Sequence, residues 1–422
     1  MLYSVFWRTA LVATLALFCS SYGQAQSSTE DFSDYYDLVY QIRVVSPQAG
    51  SKSSIGSGFQ VSAGGLIVTN YHVVSTYVQS PTTHKIEYRS HTGELGHLDL
   101  LDFDIVHDLA ILRHSNPRAR YFEFSDKPMS RGDSVFALGN PRDFGITLVR
   151  GPNNGMVEHS YNEQVLFSGS LNPGMSGGPA LNEAGQVVGV NVATAGSQLS
   201  FLVPGSKAVR LVNAARTVPQ NQYQDEIAEQ IKRWQRPRIQ ELIDADWPVE
   251  TFAEETLFGE IRKDFQCWGS TNSDDKVRFT DSASKLCQAG NSLYLDNRLN
   301  AGQLSFSFSK DTSLELAATQ FSQTMSSAMQ SDNRSNFDHS TNYECHVDFI
   351  EGQTSVSYQR VTTCIRAYKK LNGLYDSLLL VERNSNAEAF TTHLSISAAE
   401  QDQILAINRK FVEHSLRGPQ QL

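Results

Sequence analysis

Short runs of hydrophobic residues, many of them β-branched or aromatic, recur through the first half of the chain. They cover residues 38–45, 66–69, 109–112, 134–138 and 186–190, with Gly, Pro and Asn residues between them. Runs of this length bounded by turn residues predict β-strands. Many short strands in succession, with no long helical pattern between them, are typical of a β-sandwich or β-barrel.

The hydrophobic pattern changes after about residue 217. Tyr223, Ile227, Ile231 and Trp234 recur at helical spacing, which predicts an amphipathic helix. Pro237 is expected to break or kink this helix, with a second helix after it. Four basic residues are expected on the solvated face of these helices: Lys232, Arg233, Arg236 and Arg238.

The last third of the chain mixes both patterns. Residues 304–308 alternate between apolar and polar, as a half-buried strand does, and Asn372-Gly373 separates two apolar runs as in a hairpin. The sequence Ser-Ala-Ala-Glu at 397–400 resembles a capping box that opens a final helix. We therefore predict an all-β domain over residues 36–216, a helical linker over 217–260 and an α+β domain over 261–422.

The N-terminal segment has the features of an export signal. An apolar run of nine residues, 10–18, is followed by small residues at Gly23 and Ala25, the pattern that signal peptidase requires. This predicts a signal peptide over residues 1–25, because the run is shorter than the roughly 20 residues that span a bilayer. A retained lipid anchor at Cys19 is the alternative, but a bulky residue precedes that cysteine.

Composition and charge narrow the range of partners. The chain has 422 residues, 40% of them hydrophobic, and a formal net charge of -10. A surplus of acidic residues repels phosphate backbones and anionic lipid surfaces, so nucleic acid and membrane surfaces are not expected partners. No segment after residue 25 is apolar for 18 residues, so we expect no membrane span in the mature chain.

Four cysteines remain after the predicted signal peptide, all in the second half of the chain: Cys267, Cys287, Cys345 and Cys364. In an oxidising compartment they form two disulfides, for which three pairings exist. The pairs closest in sequence, 267 with 287 and 345 with 364, are favoured. A zinc site is the rival interpretation, but the spacings do not match paired metal ligands, and no metal is predicted.

A serine surrounded by glycines marks the candidate chemistry. Residues 171–180 read LNPGMSGGPA, with Ser176 in the middle. Glycines allow a tight turn that exposes the Ser176 hydroxyl and lets backbone N–H groups converge on a developing oxyanion. The alternative is an ordinary surface turn.

Two further segments supply the partners that a serine nucleophile needs. Residues 65–74, GLIVTNYHVV, carry His72 just after an apolar strand, and residues 108–112, DLAIL, place Asp108 just before another. A histidine can act as the base for a serine, and a carboxylate fixes its tautomer. The order His, Asp, Ser with each residue at a strand edge favours one shared site.

These three motifs together resemble those of the chymotrypsin-like serine peptidases, closest to the bacterial HtrA/Deg-type branch. The resemblance covers about residues 37 to 215. It implies a double β-barrel with the active site in the cleft between the barrels, polypeptide substrates and no cofactor. By the family motifs, His72 is the general base, Asp108 its orienting acid and Ser176 the nucleophile. The N–H groups of Gly174 and Ser176 form the oxyanion hole.

Other features qualify the resemblance. Asp102 and Asp104 are weaker candidates for the acid, because the family's acid opens its D-L-A motif. Met175 stands where many animal members carry an acid that pairs with a newly cut N-terminus, so no such activation is expected. Nothing after residue 217 resembles the PDZ domain of a true HtrA.

The resemblance also indicates a specificity pocket. Its base is expected near Ser170, with Asn191, Val192 and Ala193 on the wall and along an added substrate strand. No acid lies at the base to receive Arg or Lys, which favours small or medium apolar side chains.

The function predicted is that of an exported serine endopeptidase, periplasmic or else secreted. One alternative is a catalytically idle scaffold that binds a partner through the C-terminal domain. A second is an α/β-hydrolase, since residues 174–178 also satisfy G-x-S-x-G. That fold, however, requires a helix after the serine.

Overall fold

A computed structural model describes residues 32–48, 50–158, 160–196, 199–328, 338–351 and 358–416. The predicted signal peptide therefore lies outside the described residues. The first strands form a closed barrel in the order β1-β2-β3-β6-β5-β4, all antiparallel. The strands are β1 (Val39–Ser46), β2 (Ser51–Gln60), β3 (Leu66–Thr69), β4 (Lys85–Arg89), β5 (Leu95–Asp104) and β6 (Leu109–His114).

The next six strands form a second closed barrel, in the order β10-β11-β12-β9-β8-β7. They are β7 (Ser134–Gly139), β8 (Thr147–Met156), β9 (Val165–Phe167), β10 (Pro179–Leu181), β11 (Val187–Gly196) and β12 (Leu199–Pro204). Its core contains Val135, Phe167, Met175 and Leu202, all buried. The double barrel confirms the predicted fold class and excludes the α/β-hydrolase alternative, since strand β10 and not a helix follows Ser176.

In the described residues, two α-helices lie within the double-barrel half and a third follows it. They are α1 (Tyr71–Gln79), α2 (Gly205–Ala214) and α3 (Tyr223–Asp244). Ile227 and Ile231 on α3 are fully buried in the same hydrophobic core as Ile42 and Ile67 of the first barrel. Burial of one such side chain stabilises a fold by about 1.5–3 kcal/mol, so α3 is a structural part of that core.

The expected break at Pro237 was wrong, because Pro237 lies inside α3, a continuous helix of 22 residues that ends at Asp244. An interior proline costs a helix about 3 kcal/mol, and packing on both sides of it offsets that cost. Arg238 is also not solvated, as the basic run had suggested. It is fully buried, its guanidinium carbon 3.8 Å from the ring centroid of Trp234, and it donates to the Gly302 carbonyl at 3.1 Å.

The C-terminal region is built on a seven-stranded antiparallel sheet in the order β15-β16-β19-β23-β22-β21-β20. Its strands are β15 (Phe265–Thr271), β16 (Thr280–Ala289), β19 (Leu304–Ser313), β20 (Glu344–Glu351), β21 (Tyr358–Ala367), β22 (Tyr375–Asn384) and β23 (Glu388–Ala399). Two hairpins precede or interrupt it: β13 (Val249–Phe252) with β14 (Glu255–Phe258), and β17 (Leu293–Asp296) with β18 (Leu299–Ala301).

One face of this sheet is covered by a helix. Among its described residues, the region has the α-helices α4 (Ala318–Ala328) and α5 (Gln401–Leu416). Ile404, Ile407 and Phe411 of α5 are buried in the core that contains Phe306 and Phe308 of β19. The hydrophobic periodicity of the last helix is therefore satisfied by the sheet.

The capping-box prediction at residues 397–400 was wrong. β23 runs to Ala399, and the Ser397 hydroxyl accepts a hydrogen bond from the Gln303 N–H at 2.8 Å. The Glu400 carboxylate pairs with Arg236 at 2.6 Å. These side chains therefore bond to the sheet and to α3, and they do not cap the start of α5.

Two disulfides join neighbouring strands at directly opposed positions. Cys267 on β15 is bonded to Cys287 on β16, and Cys345 on β20 to Cys364 on β21. These are the two pairs that sequence proximity favours. Among the described residues, no helix is both long and apolar enough to cross a bilayer.

Candidate active site

His72 lies in the first turn of α1, directly after β3. Strand β3 pairs with β6 so that Thr69 faces Ala110, which brings the chain after β3 next to the chain before β6. The Asp108 carboxylate accepts the His72 backbone N–H at 2.8 Å through Oδ1, and lies 2.7 Å from the ring Nδ1 through Oδ2. Because a carboxylate only accepts, Nδ1 carries the proton and Nε2 is left as an acceptor.

Asp108 has a backbone conformation that residues other than glycine rarely adopt, with φ of 53°. Such a conformation persists only where the surroundings hold it. Here the fully buried Asn70 donates from Nδ2 to the Asp108 carbonyl at 2.7 Å. Asn70 thereby fixes the backbone whose carboxylate meets His72. Sequence reasoning missed this residue, and its only signal was a polar side chain between the strand and the helix.

The surroundings of His72 change its pKa in opposite directions. Burial lowers the pKa of the imidazole, whereas the negative charge of Asp108 and the hydrogen bond to it raise the pKa. The net result is a pKa above the ordinary value of 6.5. The imidazolium is therefore stabilised at this position when it forms.

The two alternative acids lie elsewhere. Asp102 is buried and accepts the backbone N–H groups of Phe103 at 2.9 Å and Arg216 at 3.1 Å. Asp104 lies 2.6 Å from Nδ1 of His107. Of the three carboxylates, only that of Asp108 hydrogen-bonds to His72 in the described part of the chain.

Ser176 lies on a tight turn whose glycines have no room for a side chain. Gly174 and Gly177 have φ of 100° and 84°, conformations that favour glycine. A Cβ on Gly177 would lie 2.2 Å from the Ser57 carbonyl oxygen, and one on Gly174 would lie 2.5 Å from that of Asn140. The turn is thus pressed directly against backbone of both barrels.

Ser57 of the first barrel connects this turn to the second barrel. Its hydroxyl donates to the Gly174 carbonyl at 2.7 Å and accepts the Asn140 N–H at 2.9 Å. Its own N–H donates to the Ser176 carbonyl at 2.7 Å. Ser57 was not predicted from the sequence, because nothing in a G-S-G-F strand indicates a partner 117 residues away.

The Ser176 hydroxyl donates to the Val192 carbonyl. Within the described residues, His72 and Ser176 are not hydrogen-bonded to each other in this conformation. They do share one cavity of about 490 Å³. Its lining residues are His72, Asp108, Leu171, Asn172, Pro173, Ser176, Val192 and Tyr294.

Of the residues predicted to form the specificity pocket, some line the cavity and others lie elsewhere. Val192 lines the cavity, whereas Ser170 is exposed outside it. Asn191 is fully buried and donates to the carbonyls of Leu138 at 2.9 Å and Met175 at 3.4 Å. It therefore stabilises the turn that carries Ser176 and does not line the cavity. The side chain of Ala193 lies outside the described residues. Among those described, no group of three or more His, Cys, Asp or Glu residues could hold a metal ion.

Comparison with known proteins shows what the double-barrel half of this chain is similar to. Residues 56–190 match the family model of the trypsin-like peptidase domain. The chain is 31% identical over 175 residues to a probable periplasmic serine endoprotease, DegP-like, of Chlamydia pneumoniae, covering 39% of this chain and 35% of that protein. It is 28% identical over 193 residues to human serine protease HTRA3, covering 43% and 40%.

Solved structures also align with part of the chain. A serine endoprotease from Yersinia pestis aligns with a TM-score of 0.37 and 24% identity, over 43% of this chain and 63% of that one. The active form of a Mycobacterium tuberculosis protease aligns with a TM-score of 0.39 and 22% identity, over 44% and 84%. The chain spans about a third of the length of the DegP-like relatives it matches.

Proposed function

We propose that this protein is an exported serine endopeptidase that hydrolyses peptide bonds through an acyl-enzyme. The observation that carries the proposal is the hydrogen-bonded pair of His72 and Asp108 in one cavity with Ser176. A peptidase needs a hydroxyl nucleophile, a base with a free nitrogen and a carboxylate behind that base. Nε2 of His72 is such a nitrogen, because the other ring nitrogen donates to Asp108.

In the first half of the reaction, the Ser176 hydroxyl rotates away from the Val192 carbonyl toward His72. Its oxygen attacks the peptide carbonyl carbon, and its proton passes to Nε2 of His72. The electron pair of the carbonyl moves to the oxygen, which becomes an oxyanion. The Asp108 carboxylate stabilises the imidazolium, in line with the raised pKa of His72.

The oxyanion is placed near the tight turn. Within the described residues, the N–H groups of Gly174 and Ser176 have no hydrogen-bond acceptor of their own, and we assign them as its two donors. Losing one such donor costs about 10²–10³ in kcat. Ser57 and Asn191 act as positioning residues, since both bond to carbonyls of this turn.

The remaining steps reverse the proton transfer. His72 protonates the leaving amine as the carbon–nitrogen bond breaks, which leaves the acyl group on Ser176. A water molecule then gives a proton to Nε2 and attacks the ester, and the Ser176 oxygen leaves with the proton from His72. The carboxylic acid product and the free enzyme result.

The substrate is proposed to be an extended polypeptide. Among the described strands, β10 pairs with β11 only as far as Val190, while β11 continues to Gly196. The Asn191 backbone is hydrogen-bonded to Gly177 and Gly178, so the edge beyond Asn191 can pair with a peptide as an added strand. Leu171, Pro173 and Val192 give the cavity an apolar wall, which suits small or medium apolar side chains at the cleaved bond.

The proposed location is the periplasm, with secretion as the alternative. The DegP-like relatives are named periplasmic serine endoproteases. Two disulfides in the C-terminal region suit an oxidising compartment outside the cytosol.

Labelling with a fluorophosphonate probe tests the proposal. We expect the folded protein to be labelled once per chain, and Ser176→Ala to abolish the label. Ser170→Ala, an exposed serine nearby in sequence, should label like the parent. A folded parent protein that takes no label contradicts the proposal and favours a catalytically idle scaffold.

A further inference from the structure

A hairpin from the C-terminal region lies against the helix that carries His72. It consists of β17 and β18, and its side chains Leu293, Leu295 and Ala301 are buried in the same core as Tyr71 and Val74 of α1. This region is separated from His72 by more than two hundred residues of sequence. The C-terminal region therefore reaches the candidate active site directly.

Two polar contacts fix the position of this hairpin. The fully buried Tyr71, next to His72, donates its hydroxyl to the Leu295 carbonyl at 3.1 Å. At the end of β17, Oδ2 of Asp296 lies 3.2 Å from Nε2 of His339, and both side chains are 12% exposed. The Tyr71 hydrogen bond therefore joins the hairpin to α1, and the Asp296 contact joins it to the rest of the C-terminal region.

Tyr294 is the hairpin residue that faces the cavity. Its ring centroid lies 6.1 Å from that of His72, with the planes at 81° in an edge-to-face arrangement. The phenol ring thus lies edge-to-face beside the imidazole.

We infer that Tyr294 is a specificity-determining residue, the wall of the peptide cleft on the His72 side, which restricts the size of one substrate side chain. The inference rests on the proposed peptidase function and deepens it. It assigns to the C-terminal region a part in substrate selection.

The geometry indicates which substrate residue meets this wall. Leu171, Pro173 and Val192 line the cavity on the side of the Ser176 turn, whereas Tyr294 lines it beside His72. Side chains of an extended peptide alternate between opposite sides. If the residue whose carbonyl is attacked points toward Val192, the residue before it points toward Tyr294. Tyr294 then excludes large side chains at that preceding position.

The test uses the full chain and a peptide set that varies only this preceding residue, from Ala to Phe, at a fixed cleavage site. The parent should prefer Ala. In Tyr294→Ala the ratio of kcat/KM for Phe over Ala should rise by about tenfold or more, the scale of a change in pocket size. Tyr294→Phe should keep the parent ratio, and Tyr294→Trp should lower it. Arg298→Ala, at the exposed hairpin turn, should behave as the parent.

The outcomes separate this inference from the proposed function. If the parent is labelled by fluorophosphonate but the ratio is the same in the Ala, Phe and Trp variants, the inference is overturned and the peptidase function stands. If Tyr294→Ala does not fold, the opposite shift expected from Tyr294→Trp still decides the question. A parent that takes no label overturns both.

Discussion

Ser57→Ala gives the sharpest test of how the two barrels hold the Ser176 turn. The substitution removes one oxygen that donates to the Gly174 carbonyl at 2.7 Å and accepts the Asn140 N–H at 2.9 Å. Ser57 is fully buried, so water does not readily replace the lost oxygen. The carbonyl and the N–H are then both left without that partner.

The size of the effect follows from these two bonds. A buried polar group left unsatisfied costs about 1–3 kcal/mol, so two such groups should lower the free energy of unfolding by about 2–6 kcal/mol. Gly174 also supplies a proposed oxyanion donor, its own N–H, in the peptide that precedes this carbonyl. Because the donor becomes less well placed but is not removed, kcat should fall by about tenfold, less than the 10²–10³ for losing a donor.

The assay combines urea unfolding with peptide hydrolysis. Ser53→Ala is the matched control, since Ser53 lies on the same strand, is exposed, and donates only to the Val44 carbonyl at 3.0 Å. A surface substitution of this kind changes the free energy of unfolding by less than about 0.5 kcal/mol. A Ser57→Ala protein with the stability and the kcat of the Ser53→Ala control would refute the reasoning.

Two further predictions follow from the site and the core. Because the pKa of His72 lies above 6.5 and only the neutral imidazole can take a proton, kcat/KM should rise with pH with an acid limb above 6.5. Asp108→Asn removes the charge that raises this pKa, so NMR titration of the His72 ring should show a pKa below that of the parent; an equal or higher value contradicts the pairing. Ile231→Ala, in the core shared by α3 and the first barrel, should lower the free energy of unfolding by about 2–5 kcal/mol. Arg233→Ala on the exposed face of α3 should change it little, and equal effects would mean that the helix is a solvated linker.

Local sequence patterns were sufficient to predict the barrel strands but not the residues that stabilise the candidate active site. β-branched runs bounded by turn residues predict the strands. The motifs around His72, Asp108 and Ser176 are each continuous in sequence, so they too can be found from the sequence alone. Ser57 and Asn70 act through hydrogen bonds to backbone atoms 117 and 38 residues away, and no local pattern specifies such partners.

Tertiary packing also overruled local propensity. Pro237 lies inside a continuous helix, and Arg238 next to it is buried against Trp234. The helix packs in the first-barrel core before the proline and in the core of the C-terminal sheet after it. Tyr294 had no signal at all in the sequence, since its position depends on how the C-terminal hairpin packs on α1.

A burst experiment tests most directly the central claim that Ser176 forms an acyl-enzyme. The protein is mixed with a nitrophenyl ester of a short apolar peptide, and the first turnover is followed before the acylated protein is located by mass spectrometry. The account predicts a rapid release of one nitrophenol per chain, with the acyl group on Ser176. No burst, or an acyl group on any other residue, would contradict it.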